Sequence, residues 1–218
     1  MAKKPANDRR RRADEIRRKQ AAKERRRTLV AIGVAVALGG LLIGLAVWQV
    51  RDKTPDERPL PEIGVLEAEA GCSPVENATP IPGGGHRAGP IEYPQSPPNG
   101  GPHNDQTLSN ARRFIQREQG GADVIERSVH NLEHGLVIAW YDEKLPEAEV
   151  EVLREVVTNA SNRFMAIPWN RADFPEEKHF VLTAWGHTQR CGRVSGEVVK
   201  KFIDGYTDKD APERGGAV

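Results

Sequence analysis

The sequence predicts an α+β fold: a small extracytoplasmic domain, with a short sheet and packed helices, behind one N-terminal transmembrane helix. Three observations predict it. "TLVAIGVAVALGGLLIGLAVWQV", Thr28 to Val50, carries no charge. "GLVIAWYD" and "HFVLTAWG" are apolar, β-rich runs of buried-strand length. Apolar residues also recur at helical spacing in two stretches that begin at a proline and at a serine.

The N-terminal elements come first. Leu29 to Val50 is 22 residues, about 33 Å as a helix, against a hydrocarbon core of about 30 Å. Trp48 lies near its outer end, where an indole favours the interface. The run exceeds a signal-peptide apolar region, and no small-x-small cleavage site follows Val50. Residues 1–27 hold 13 Lys/Arg and 4 Asp/Glu, a net of +9, while the remaining 191 residues net −8. Basic residues stay on the cytoplasmic side, so the expected topology is a cell-membrane protein with a cytoplasmic N-terminus and an extracytoplasmic C-terminal domain. The tail, 1–27, is expected to attract anionic lipid. A nucleic-acid arm and a twin-arginine signal fit the same charges less well, and no nucleic-acid partner is expected.

Residues 51–70 are polar and proline-bearing and read as a linker, with the folded domain spanning 71–218. Turn formers crowd residues 71–106, with one short strand expected at Ile91–Tyr93. "TLSNARRFIQREQGG" sets Leu108, Ala111, Phe114 and Ile115 at helical spacing and stops at two glycines. After Pro146, an amphipathic face runs through Leu153, Val156, Val157, Ala160 and Phe164. Ser195 is placed to cap a last helix with Val198, Val199, Phe202, Ile203 and Tyr206 inward.

An ordered set of motifs carries a resemblance: Gly71-Cys72, His86, Tyr93 leading into "SPPNGGPH", "HNLEHG", and "LTAWG" with Cys191 after it. Over about residues 71–206 the chain resembles DUF3105, a bacterial and mostly actinobacterial family. It differs at Asn99 and Gly100, where the family usually shows Thr-Ser. The resemblance implies a membrane-anchored or secreted envelope protein and no established activity.

Cys72 and Cys191 are the only cysteines. An oxidising compartment favours a disulfide between them. The rivals are a metal site using Cys191 with His187, and a catalytic thiol.

All six histidines follow the apolar run. His86, His103 and His134 sit beside glycine or proline, in loops where functional groups concentrate. On a strand, His130 and His134 would stand about 13 Å apart; on a helical turn, about 6 Å. One metal with bonds of about 2.0–2.1 Å takes both only from the turn. Gly135 suits the end of such a turn, so Val129–His134 is expected to be one tight turn leading into a strand at 136–141. His103 is the expected third ligand, His86 the reserve, and Glu133 an outer partner that orients a histidine. The string also spells H-x-x-E-H, a peptidase pattern, but a glycine and an apolar strand follow at once.

No P-loop, nucleophile elbow or Rossmann fingerprint is present, and no catalytic set is identified. The first reading is a single-pass envelope protein with an extracytoplasmic interaction or scaffolding domain, partnered by the bilayer and an envelope protein, whose clustered histidines offer a transition-metal site. The alternatives are a dedicated zinc or copper protein and, behind it, a metal-dependent hydrolase.

Overall fold

The computed structural model describes residues 4–51, 58–77, 84–121, 123–176 and 178–216. It holds two compact units, Met1–Thr54 and Pro55–Val218. The first contains one continuous helix, α1 (Lys4–Arg51), which runs through both the basic tail and the apolar run. Side chains are described for part of it, the longest stretch being residues 23–41. The expected span, Thr28–Val50, therefore extends beyond the side chains described, and among the described residues no helix is long and apolar enough to cross a membrane.

The second unit is the expected α+β domain. Its strands are β1 (Glu76–Asn77), β2 (Val137–Tyr141), β3 (Phe164–Pro168), β4 (Phe180–Ala184) and β5 (His187–Cys191), in the order β1-β5-β4-β2-β3. β2 and β3 are parallel, and every other pairing is antiparallel. α3 (Glu147–Asn159) connects the parallel pair, since parallel neighbours need a crossover rather than a hairpin.

β2 is buried on both faces, which explains its unbroken apolar run. Val137, Ala139 and Tyr141 point to one side, with Leu153, Val156 and Val157 of α3 and Val198, Val199 and Phe202 of α4 (Gly196–Tyr206). Ile138 and Trp140 point to the other, with Val129 and Leu132 of α2 (Val124–Glu133). The sheet thus lies between two apolar layers. Ser195 caps α4 as expected, its side chain accepting from the Val198 backbone N–H.

Several expectations are corrected. The helix expected from Thr107 onward is irregular: its apolar residues serve two cores, Leu108 and Ile115 in one and Phe114 against the other. Phe114 forms a parallel bridge with Ala166 beside β3, and the Ile115 N–H donates to the Ala166 carbonyl at 3.0 Å. Ile91–Tyr93 forms no strand, because the Ile91 N–H donates to the Glu126 carboxylate instead (2.8 Å). Phe164 opens β3 rather than continuing α3. The linker is shorter than expected: residues 52–57 lie outside the described residues, but tight helical turns at Leu60–Glu62 and Glu67–Glu69 belong to the packed unit. Ile63 and Ala70 are fully buried in its core.

Cys72 and Cys191 are bonded, with an S–S distance of 2.02 Å. Their Cα atoms are 3.9 Å apart, closer than the usual 4.4–6.8 Å.

Candidate metal centre

The site is built on the last turn of α2. His130 and Glu133 belong to a 10-residue helix and His134 is its C-cap, so the expected tight turn is the end of a longer element. At about 100° per residue, Glu133 lies about 60° to one side of His130 and His134 about 40° to the other. His130 therefore stands between two neighbourhoods. Gly135 ends the helix at φ +90°, where a side chain would be strained and a Cβ would come 2.1 Å from Asp208 Oδ1.

The polar face of α2 grips the segment that carries His103. Asn131 accepts from the Leu108 N–H (2.8 Å) and donates to the Leu108 carbonyl (2.9 Å). Arg127 donates to the Thr107 carbonyl. The Glu126 carbonyl accepts from the Asn104 N–H, and its carboxylate pairs with Arg171. His86 is brought to His103 by a parallel backbone bridge, with the Arg87 N–H donating to the His103 carbonyl at 2.7 Å. Gly84 permits that approach: a Cβ there would lie 1.8 Å from the Gly101 carbonyl oxygen.

These contacts gather His86, His103, His130 and Glu133, each with a ligand atom, all within 4.8 Å of one another. The rings of His103 and His130 are centred 4.7 Å apart, and those of His86 and His130 5.0 Å. His103, His130 and Glu133 are buried; His86 is exposed.

The protonation chemistry leaves the cluster incomplete. His103 Nδ1 lies 2.9 Å from the Gly101 carbonyl oxygen. A carbonyl only accepts, so Nδ1 carries the hydrogen, which leaves Nε2 to face the Glu133 carboxylate. That Nε2 is 2.9 Å from Glu133 Oε2. The oxygen is close enough for an ion pair with a protonated ring, yet Nε2 has no aligned hydrogen-bond partner. His130 Nδ1 is likewise buried without a partner. Burial pushes the His130 pKa down to about 4; the nearby His103, His134 and His86 add to this, and a backbone contact with Asn104 opposes it. His130 is therefore neutral near pH 7, with a lone pair available to a cation. These two ring nitrogens and the buried carboxylate share a space that a cation, a proton or a metal ion, would fill.

The donor set is three imidazoles and one carboxylate. Both cysteines are in the disulfide, and Met165 is buried in the core opposite α3. Without sulfur, such a set suits Zn²⁺ or Cu²⁺ rather than Cu⁺. Ligand atoms of a tetrahedral site stand about 3.3 Å apart at bonds of about 2.0–2.1 Å. Binding thus requires this cluster to draw in by up to about 1.5 Å.

The structure brings His103 and His130 together as the sequence suggests, but rearranges their companions. His86, held in reserve, is in the cluster. Glu133, expected outside, offers an oxygen directly; the signal was the i, i+3 spacing from His130. His134 instead joins His130 and Glu213 in a second group, with His134 Nε2 3.1 Å from Glu213 Oε2. Glu213 reaches it from the C-terminal segment, whose N–H donates to the Glu133 carbonyl at 3.0 Å, a contact no local pattern signals. Glu126 and Asn131 were also missed, since their work is to hold a loop distant in sequence. The alternative site at His187 and Cys191 is overturned: the cysteine is bonded, and the two nitrogens of His187 meet Asn77 (2.6 Å) and Asp210 (2.7 Å). His179 pairs with Asp142 at 3.0 Å, away from the cluster.

No curated protein and no solved structure matches the chain. One family model matches residues 86–218, more than half of the chain and inclusive of every residue in the cluster, and the chain therefore belongs to the family described as "Protein of unknown function (DUF3105)".

Proposed function

We propose that this is a single-pass membrane protein whose extracytoplasmic domain binds one divalent transition-metal ion, zinc or copper, through His86, His103, His130 and Glu133. The observation that carries the metal reading is the convergence of four ligand atoms, from His86, His103, His130 and Glu133, within 4.8 Å of one another, three of the four residues buried. A bound ion would balance the buried Glu133 carboxylate and give the unpartnered Nδ1 of His130 a partner.

The membrane reading rests on α1. Leu29, Val30, Ile32, Val34, Val36, Leu38 and Leu41 are all exposed; at about 100° per residue they cover about two thirds of the circumference, and Ala31 and Ala35 fall in the remaining arc. A helix apolar all round asks for a lipid or protein environment. The basic tail before it sets the N-terminus inside and draws anionic lipid to that side.

The test uses the full chain in detergent, purified without a polyhistidine tag. Elemental analysis and calorimetric titration with Zn²⁺ and Cu²⁺ should give one equivalent per chain. The joint substitution His103→Ala and His130→Ala should abolish it. Unchanged titration by that variant would favour the first sequence reading, an interaction domain with structural histidines.

A further inference from the structure

We infer that His86 is the exchangeable ligand of this centre, the point at which the ion is handed to, or taken from, an acceptor with nitrogen or carboxylate donors. This rests on the metal reading above and concerns what the centre does with its ion.

The four side chains are not held alike. His130 and Glu133 share one turn of α2 and are buried. His103 is fully buried and pinned through Nδ1 to the Gly101 carbonyl. His86 is exposed, and among the described residues its ring forms no hydrogen bond; it meets only the rings of His103 and His130, at 5.3 and 5.0 Å between centroids. Its backbone is tied by a single bridge to residue 103. The contraction that binding requires falls on the ligand with the least holding it, and the same ligand is the easiest to lose.

Among the described residues, the C-terminal segment and Trp185 cover other sides of the cluster. The C-terminal segment bonds the Glu133 carbonyl through Glu213 and packs Gly216 so closely on His134 that a Cβ would come 2.4 Å from its Nδ1. The rings of Trp185 and His103 stand nearly perpendicular, 6.5 Å between centroids. An incoming donor therefore meets the ion from the His86 side. The exchange breaks the metal–nitrogen bond to His86 as a bond to the acceptor forms. No electrons move, and the other three ligands stay in place until the acceptor has replaced the first.

The experiment loads the full chain in detergent with Zn²⁺ and mixes it with the chromophoric chelator 4-(2-pyridylazo)resorcinol in a stopped-flow spectrometer. The wild type should transfer zinc at a rate that rises with chelator concentration. His86→Ala should still load one equivalent, bind it weaker by about 10–100-fold, and transfer it at least about tenfold faster. His103→Ala should fail to load. Circular dichroism should show that His86→Ala, a change at an exposed residue, keeps the fold. The inference is overturned if His86→Ala loses zinc as completely as His103→Ala, or transfers it at the wild-type rate. A wild-type chain that never loads overturns the metal reading itself, and the loading step alone reveals that.

Discussion

His103 Nε2 and Glu133 Oε2 stand 2.9 Å apart, both residues buried, and Nε2 has no hydrogen-bond partner of good geometry. An unsatisfied buried polar group costs about 1–3 kcal/mol. Glu133→Gln offers the nitrogen an amide N–H and removes the charge. The metal-free variant should therefore be as stable as the wild type or about 1 kcal/mol more so, while zinc affinity falls at least about tenfold. Urea unfolding and calorimetry read the two effects. A variant that is destabilised yet binds zinc normally would assign Glu133 a purely structural role.

The bond between Cys72 and Cys191 closes a loop of 119 positions. Loop-entropy reasoning places its contribution at about 4–5 kcal/mol. Cys72→Ser with Cys191→Ser should lower the unfolding free energy by that order in denaturant titration. A change under about 1 kcal/mol would mean that the packing of Ile63 and Ala70 holds this segment unaided.

His130 gives the metal-free protein an acid sensitivity. Its folded-state pKa, about 4, lies below its ordinary value of 6.5. Between those values the unfolded chain takes up a proton that the folded chain refuses, so stability falls as pH drops from 6.5 towards 4 and this contribution levels off below. The urea midpoint should decline over that window, and His130→Gln should flatten part of the decline. An identical slope in the variant would remove His130 as the cause.

Gly135→Ala should destabilise by about 1–3 kcal/mol from backbone strain alone, with a further cost because the new Cβ meets Asp208 at 2.1 Å. Gly205→Ala, where a Cβ meets nothing within 4 Å, is the control and should change stability little. Equal effects of the two would refute the role given to the Gly135 turn.

A reporter active only in the cytoplasm, fused after Val218, should stay dark, because 13 basic residues precede Thr28. A bright fusion would reverse the orientation.

Much of the sheet was legible because it is buried on both faces. β2 and β4 stand out as apolar runs, and α4 announces itself with a serine cap and an inward stripe. β5, "HTQRC", gives no apolar pattern because Gln189 and Arg190 are half-buried and face loop and edge partners such as Ser73 and Glu76. β3 was hidden because Phe164 falls four residues after Ala160 and prolongs the helical spacing past the true end of α3. At the site, local periodicity signals that His130, Glu133 and His134 share one turn, but not that Glu133 rather than His134 joins the cluster. The approach of His86 depends on one backbone bridge and a glycine contact with Gly101, relations between distant loops that leave no periodic trace.

The disulfide also decides how the domain carries tension. A pull on the chain ahead of Leu60 can strip residues only as far as Cys72, where the load crosses covalently to Cys191. Between a tether at the front and anything gripping α4 or the C-terminal segment, the tensile path bypasses residues 73–190. β2, β3, β4, His86, His103, His130 and Glu133 all lie inside that bypass. A load that crosses from Cys72 to Cys191 therefore does not run through the backbone that carries the four side chains.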